Sequence, residues 1–170
     1  MKPPTALVVM GVSGSGKSTL ASLLAQRLGW ELVEADELHP RASVAKMAAG
    51  IPLTDADRLP WLALIRDRIG ERAAAGLPLV VACSALKRSY RDLLRQATGA
   101  RVRFVHLAGS RELIDSRMRL RTGHFMPPSL LDSQFRDLEP LGADEDGVTV
   151  PLDGSPERMA DTALDALALP

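Results

Sequence analysis

Nine residues near the amino terminus, "GVSGSGKST" (Gly11 to Thr19), leave this chain few ways to fold. They match G-x-x-x-x-G-K-[ST], a pattern that works only where a strand delivers the backbone into the loop and a helix begins at the lysine. Both flanks qualify. "TALVVMG" is a short apolar run that stops at glycine, a good buried strand. Leu20, Leu23, Leu24 and Leu28 then recur at helical spacing from Lys17 until Gly29 supplies a stop signal. Glycines lack a Cβ, so successive backbone N–H groups can converge on phosphate oxygens, and the helix adds its positive dipole end. The residues expected to hold the nucleotide, ATP or GTP, are Gly11, Ser13, Gly14, Ser15, Gly16, Lys17, Ser18 and Thr19. Lys17 should reach the β- and γ-phosphates, and Ser18 should hold Mg²⁺. The plainer alternative is a glycine-rich turn with a chance lysine. The motif is silent about a second substrate.

Beyond Gly29, strands and helices alternate. "WELVEAD" reads as a second strand with Asp36 at its polar end, followed by a short helix over 41–50 and a loop to Pro60. Trp61, Ile65 and Ile69 start a helix ending near Gly76, and "PLVVACS" is a third strand. Leu86 to Thr98 is helical and "ARVRFVHLAG" is a fourth strand. Ser110 caps a helix running to Arg121, "TGHFMPP" breaks it, and Ser129 to Leu138 resumes. "GVTVPLD" is the fifth strand, and Ser155 and Pro156 open a last helix with Met159, Ala163 and Leu167 on one face. Short strands that are apolar through both faces predict an α/β fold, a parallel sheet covered on both sides. At 170 residues the chain fits a single domain. Ligands of such sheets bind beyond the carboxyl ends of the strands, where Gly11–Ser18, Glu34–Asp36 and Ser84–Lys87 all fall.

Composition narrows the partners. Lysine and arginine number 21, as do aspartate and glutamate, so no basic field draws the chain to nucleic acid or to an anionic membrane. No segment is long and apolar enough to span a bilayer. The single cysteine, Cys83, lies in the apolar run "LPLVVACSAL" and is expected to be a buried small hydrophobe. A cytoplasmic protein follows as the expectation.

A phosphate-transfer site needs an acid for the acceptor's proton or for Mg²⁺, and cations for the moving charge. Asp36, at the end of the second strand and beside the phosphate loop, is the candidate base. Arg117 and Arg121 are four apart and share a helix face near that of Ile114 and Met118. They read either as lid arginines that swing over phosphates or as surface residues on a solvated helix.

Several blocks now carry a resemblance. "GVSGSGKST", "LHPRASVAKMAAGIPLTDADRLPWL", "CSALKRSYRDLLR", "SRMRLRTGHF" and "LLDSQFRDLEPLGADE" resemble, in order, the thermoresistant gluconokinase family of small P-loop kinases related to shikimate kinase. They span residue 11 to about 145. The resemblance implies a P-loop kinase fold with a five-stranded parallel sheet of order 2-3-1-4-5 and a small helical lid, about 118–130. It further implies ATP and Mg²⁺ as cofactors, gluconate as the phosphate acceptor, 6-phosphogluconate as the product, and a homodimer.

Gluconate carries a carboxylate and five hydroxyls, so its site needs a cation with several donors and acceptors. Arg58 offers a carboxylate fork, and Lys46 and His39 lie in the segment after Asp36. His39 is equally readable as a helix-entry residue before Pro40. Lys87 follows the third strand, and Ser84 either joins it or caps the next helix. His124 and Gln134 bracket the lid as further substrate candidates, whereas Trp61 is expected in the core. The loop from Asp153 to Pro156 is the position for adenine, by analogy with related kinases.

Two departures from the family pattern stand out. Glu34-Ala35-Asp36 occupies the place of Asp-Gly-Asp, which leaves a magnesium contact by Glu34 open. Ser43 stands where asparagine is usual. Two other functions remain open at this level: a related kinase for shikimate or another sugar acid, and a nucleotide-binding regulatory module with no acceptor.

Overall fold

The apolar run Thr5–Met10 forms the central strand, β1, with neighbours on both sides. A computed structural model describes residues 2–120 and 128–170, with side chains described over 2–118 and 131–170. From β1 the chain runs through α1 (Lys17–Leu28), β2 (Glu31–Glu34), a 3-10 turn (Ala35–Leu38), α2 (Arg41–Ala48) and α3 (Asp55–Ala74). It continues through β3 (Leu79–Ala82), α4 (Arg88–Arg95), β4 (Arg101–Ala108), α5 (Arg111–Leu120) and α6 (Pro128–Asp137), and ends with β5 (Gly147–Pro151) and α7 (Pro156–Leu167). Among the described residues no helix is long and apolar enough to cross a membrane.

All strand pairs are parallel, in the order β2-β3-β1-β4-β5. The sheet is therefore of the predicted class and order. Alternation along β1 divides the core in two. Leu7 and Val9 face Leu20 and Leu24 of α1 and Ala160 and Ala163 of α7. Ala6, Val8 and Met10 face Trp61, Ile65 and Ile69 of α3. Because both faces are covered, β1 and β3 read as unbroken apolar runs. Cys83 is wholly buried beside β3, and burial pushes its thiol up to about 12, so it packs as a small hydrophobe.

The core helices begin and end largely as expected. Gly29 closes α1 in the left-handed conformation, φ +70°, with its N–H on the Ala25 carbonyl. Ser110 Oγ accepts from Leu113 N–H and Ser155 Oγ from Arg158 N–H, capping α5 and α7.

Three boundaries differ from expectation. The helix expected from Trp61 starts at Asp55, because Thr54 and Asp57 form a reciprocal capping box: Thr54 Oγ1 accepts from Asp57 N–H at 3.1 Å, and the Asp57 carboxylate accepts from Thr54 N–H at 2.9 Å. Pro60 lies inside this helix, past its first turn, and forgoes the bond to the Ala56 carbonyl. β2 is shorter than "WELVEAD": it stops at Glu34, and Asp36 sits on the 3-10 turn. The helix expected from Leu86 starts at Arg88, because the Ala85 and Leu86 carbonyls accept from the buried Arg91 guanidinium, and Ala85 takes a positive φ of 42°.

Candidate active site

The phosphate loop sits where β1 hands over to α1, with Lys17 almost buried at the first helical turn. Gly14 has φ +81°, and a Cβ on it would meet Met118 Cγ at 2.6 Å, so α5 lies directly over the loop. The Ser15 hydroxyl is buried and has no hydrogen-bond partner among the described residues. On one side of the loop, a cleft is lined by Gly14, Gly16, Thr19, Arg117, Pro156 and Met159. Pro156 belongs to the segment expected beside adenine, and Arg117 is the described half of the expected lid pair. Arg121 and His124 lie outside the described residues.

A second cleft opens on the other side. Ser13, Lys17 and Gln134 line it towards the phosphate loop, and Asp36, His39 and Arg58 line it towards β2 and α3. Asp36 is exposed into this space. The His39 ring stacks on Trp61 with centroids 4.1 Å apart, and its Nε2 lies 3.9 Å from Asp36 Oδ1. Trp61 is core, as expected, but it also fixes this wall: its indole N–H donates to the Ala35 carbonyl at 2.7 Å. Burial pushes the His39 pKa below 6.5; Asp36 opposes the shift and Arg58 adds to it. The imidazole is thus held neutral at pH 7, with its buried Nδ1 unpartnered among the described residues.

Arg58 is 7% exposed and shares its Nη1 between the Tyr90 hydroxyl at 2.9 Å and Asp137 at 3.1 Å. Burial lowers its pKa, but the Tyr90 and Asp137 contacts prevail and the net shift is upward, so the guanidinium stays charged. Tyr90 OH in turn donates to Asp55, which also pairs with Lys87 at 2.9 Å. Lys46 pairs with Asp57 at 2.8 Å, and that bond, with the Thr54 N–H, holds Asp57 at about 2. Neither Lys46 nor Lys87 lines the cleft; each neutralises an acid at the start of α3. Ser84 lines the cleft, whereas α4 is capped from elsewhere, its Arg88 N–H donating to the Glu139 carboxylate at 2.9 Å. Ser43 is buried in α2 and is not part of the cleft wall.

Gln134 stands in the cleft but is bonded to the protein. Its Oε1 accepts from Ser13 N–H at 2.6 Å, and its Nε2 donates to Ser13 Oγ at 3.1 Å. The Tyr90, Asp55 and Asp137 partners were missed from sequence. The "TDAD" spacing of the Thr54 capping box was readable; Asp137, 79 residues from Arg58, left no such signal.

Ser18 Oγ donates to the Glu34 carboxylate at 3.0 Å. The longer glutamate arm therefore still reaches the end of the phosphate loop. Magnesium usually takes one or two protein oxygens and completes its shell with phosphates and waters. Ser18 and Glu34 suit that chemistry, and among the described residues no cluster of three or more acidic, histidine or cysteine side chains offers an alternative cage.

Known proteins resemble this chain along most of its length. Residues 7–141 match the AAA domain family. The chain is 51% identical to a gluconokinase of Gluconobacter oxydans, over 96% of this chain and 89% of that one. It is 43% identical to the thermoresistant gluconokinase of Escherichia coli, over 86% of each. It is also similar to the crystal structure of a gluconokinase from Sinorhizobium meliloti, with a TM-score of 0.84, 46% identity, and coverage of 99% of this chain and 94% of that one.

Proposed function

The chain belongs to the gluconokinase family, and on that premise we propose that it transfers the γ-phosphoryl group of ATP to the terminal hydroxyl of D-gluconate. One observation supports this most: Lys17 of the phosphate loop and Asp36 line a single cleft that also holds a charged, nearly buried arginine. A nucleotide module with no acceptor has no use for that second wall.

In this reading the loop N–H groups and Lys17 hold the β- and γ-phosphates. Gluconate lies in the second cleft, with Arg58 on its carboxylate and neutral His39 on a hydroxyl. Its terminal oxygen attacks the γ-phosphorus, the bond to the β–γ bridging oxygen breaks, and ADP leaves. Asp36 takes the hydroxyl proton. Arg117, with Arg121, answers the charge on the moving group. Mg²⁺ held by Ser18, with Glu34 beside it, would neutralise phosphate charge as the bond breaks. Lys46 and Lys87 act on substrate at most indirectly, through Asp57 and Asp55. Family membership further leads us to infer a homodimer, and the lone buried Cys83 is in keeping with the cytoplasm.

The test is ADP release over a panel of sugar acids, polyols, shikimate and nucleoside monophosphates. Gluconate should give the highest kcat/KM, and its product should be 6-phosphogluconate. Gluconate giving no more ADP than a control without acceptor would overturn the assignment.

A further inference from the structure

Helix α6 touches both halves of the site with two side chains one turn apart. Gln134 makes two hydrogen bonds to Ser13 of the phosphate loop, at 2.6 and 3.1 Å. Asp137 pairs with Arg58 at 3.1 Å. Residues three apart share a helix face and lie about 4.5 Å apart along the axis, so one rigid element spaces the phosphate loop from the acceptor arginine.

The far end of α6 is also fastened. Glu139 N–H donates to the Leu86 carbonyl at 2.8 Å, and its carboxylate caps α4 through Arg88 N–H. Leu138 packs against the apolar cores on both faces of the sheet. The backbone between these contacts therefore has little freedom to slide.

We propose that α6 is a strut that keeps the phosphate donor and the acceptor in register, with Gln134 and Asp137 as its positioning residues. The proposal rests on the kinase reading above and assigns neither residue to the reacting atoms. In-line transfer depends on reactant spacing, and a misplacement of about 1 Å can cost on the order of a hundredfold in rate. A strut whose two ends act together has a signature that two separate contacts lack: loosening either end loses the same register.

The experiment uses Gln134→Met and Asp137→Asn, singly and together, in the full chain. Calorimetry gives the affinities for AMPPNP and for gluconate, each alone, and steady-state assays give kcat at saturation. Each single variant should lower kcat by about tenfold, and the double variant by no more than about threefold further, because the effects share one cause. Each single variant should leave the ligand at the far end bound within about twofold of wild type. Should either variant melt before assay, Ser13→Ala and Asp137→Glu are the milder pair, with the same non-additivity expected. Effects that multiply to about a hundredfold, or single variants within about twofold of wild-type kcat, overturn the strut. A wild-type chain that binds AMPPNP but not gluconate overturns the acceptor assignment and the strut with it.

Discussion

The Ser18 hydroxyl donates to the Glu34 carboxylate across 3.0 Å, joining the end of the phosphate loop to the end of β2. Oxygen donors so placed suit a cation bound mainly by phosphates. Glu34→Gln keeps the shape and removes the charge. It should raise the Mg²⁺ concentration for half-maximal activity by about tenfold while kcat at saturating Mg²⁺ changes much less. An unchanged Mg²⁺ titration would make Glu34 a partner of Ser18 and nothing more.

Arg58 is expected to recognise the acceptor's carboxylate. Lysine in its place keeps a positive charge but loses the planar fork, and with it the N–H groups beyond the Nη1 already shared by Tyr90 and Asp137. Loss of a charged hydrogen bond, about 1.5–3 kcal/mol, should raise the KM for gluconate by about ten- to hundredfold and leave the KM for ATP within about twofold. Equal increases in both KM values would point to general loosening of the fold.

What could be read in advance, and what could not, follows from sequence distance. α1 was legible because its signals are local: leucines at helical spacing, the lysine that opens it and the glycine that closes it. The start of α3 differs because the prolines read as a loop as far as Pro60, whereas the Thr54–Asp57 capping box, an equally local signal, opens the helix at Asp55. Charge and position in the chain make Lys46 and Lys87 substrate candidates, but a cation's partner in the fold depends on which acid folding brings closest. That acid is Asp57 for one and Asp55 for the other. The Gln134–Ser13 bond spans 121 residues, and no periodicity in either segment foretells it.

Stability should fall on acidification in two stages. Burial favours neutral His39 and His106 and holds both below 6.5, so the unfolded chain binds those protons first. Their contribution is complete above pH 6.5 and is lost as pH falls below it. Glu145 adds a second stage. Burial pushes its carboxyl up, but hydrogen bonds from Arg91, the Gly142 N–H and Arg95 outweigh that and hold it at about 2 against an ordinary 4.5. Its contribution is complete above pH 4.5 and fades as pH falls towards 2. Urea unfolding measured from pH 8 down to about pH 2 should show the free energy dropping below pH 6.5 and more steeply below 4.5. Glu145→Gln should shrink the lower stage, to which Asp57 also contributes, and cost about 3 kcal/mol at pH 7, because Arg91 is left buried without its counter-charge. A flat profile between pH 7 and pH 5 would contradict the histidine stage.

The central claim is that Asp36, facing Lys17 across the second cleft, takes the proton from the acceptor hydroxyl. Asparagine is nearly isosteric but cannot accept that proton. The most direct measurement is gluconate phosphorylation by Asp36→Asn under saturating ATP and Mg²⁺, with AMPPNP affinity determined on the same preparation. Turnover should fall by about a hundredfold or more while nucleotide affinity stays within about threefold of wild type. Turnover near the wild-type value would remove Asp36 from the chemistry and contradict the mechanism.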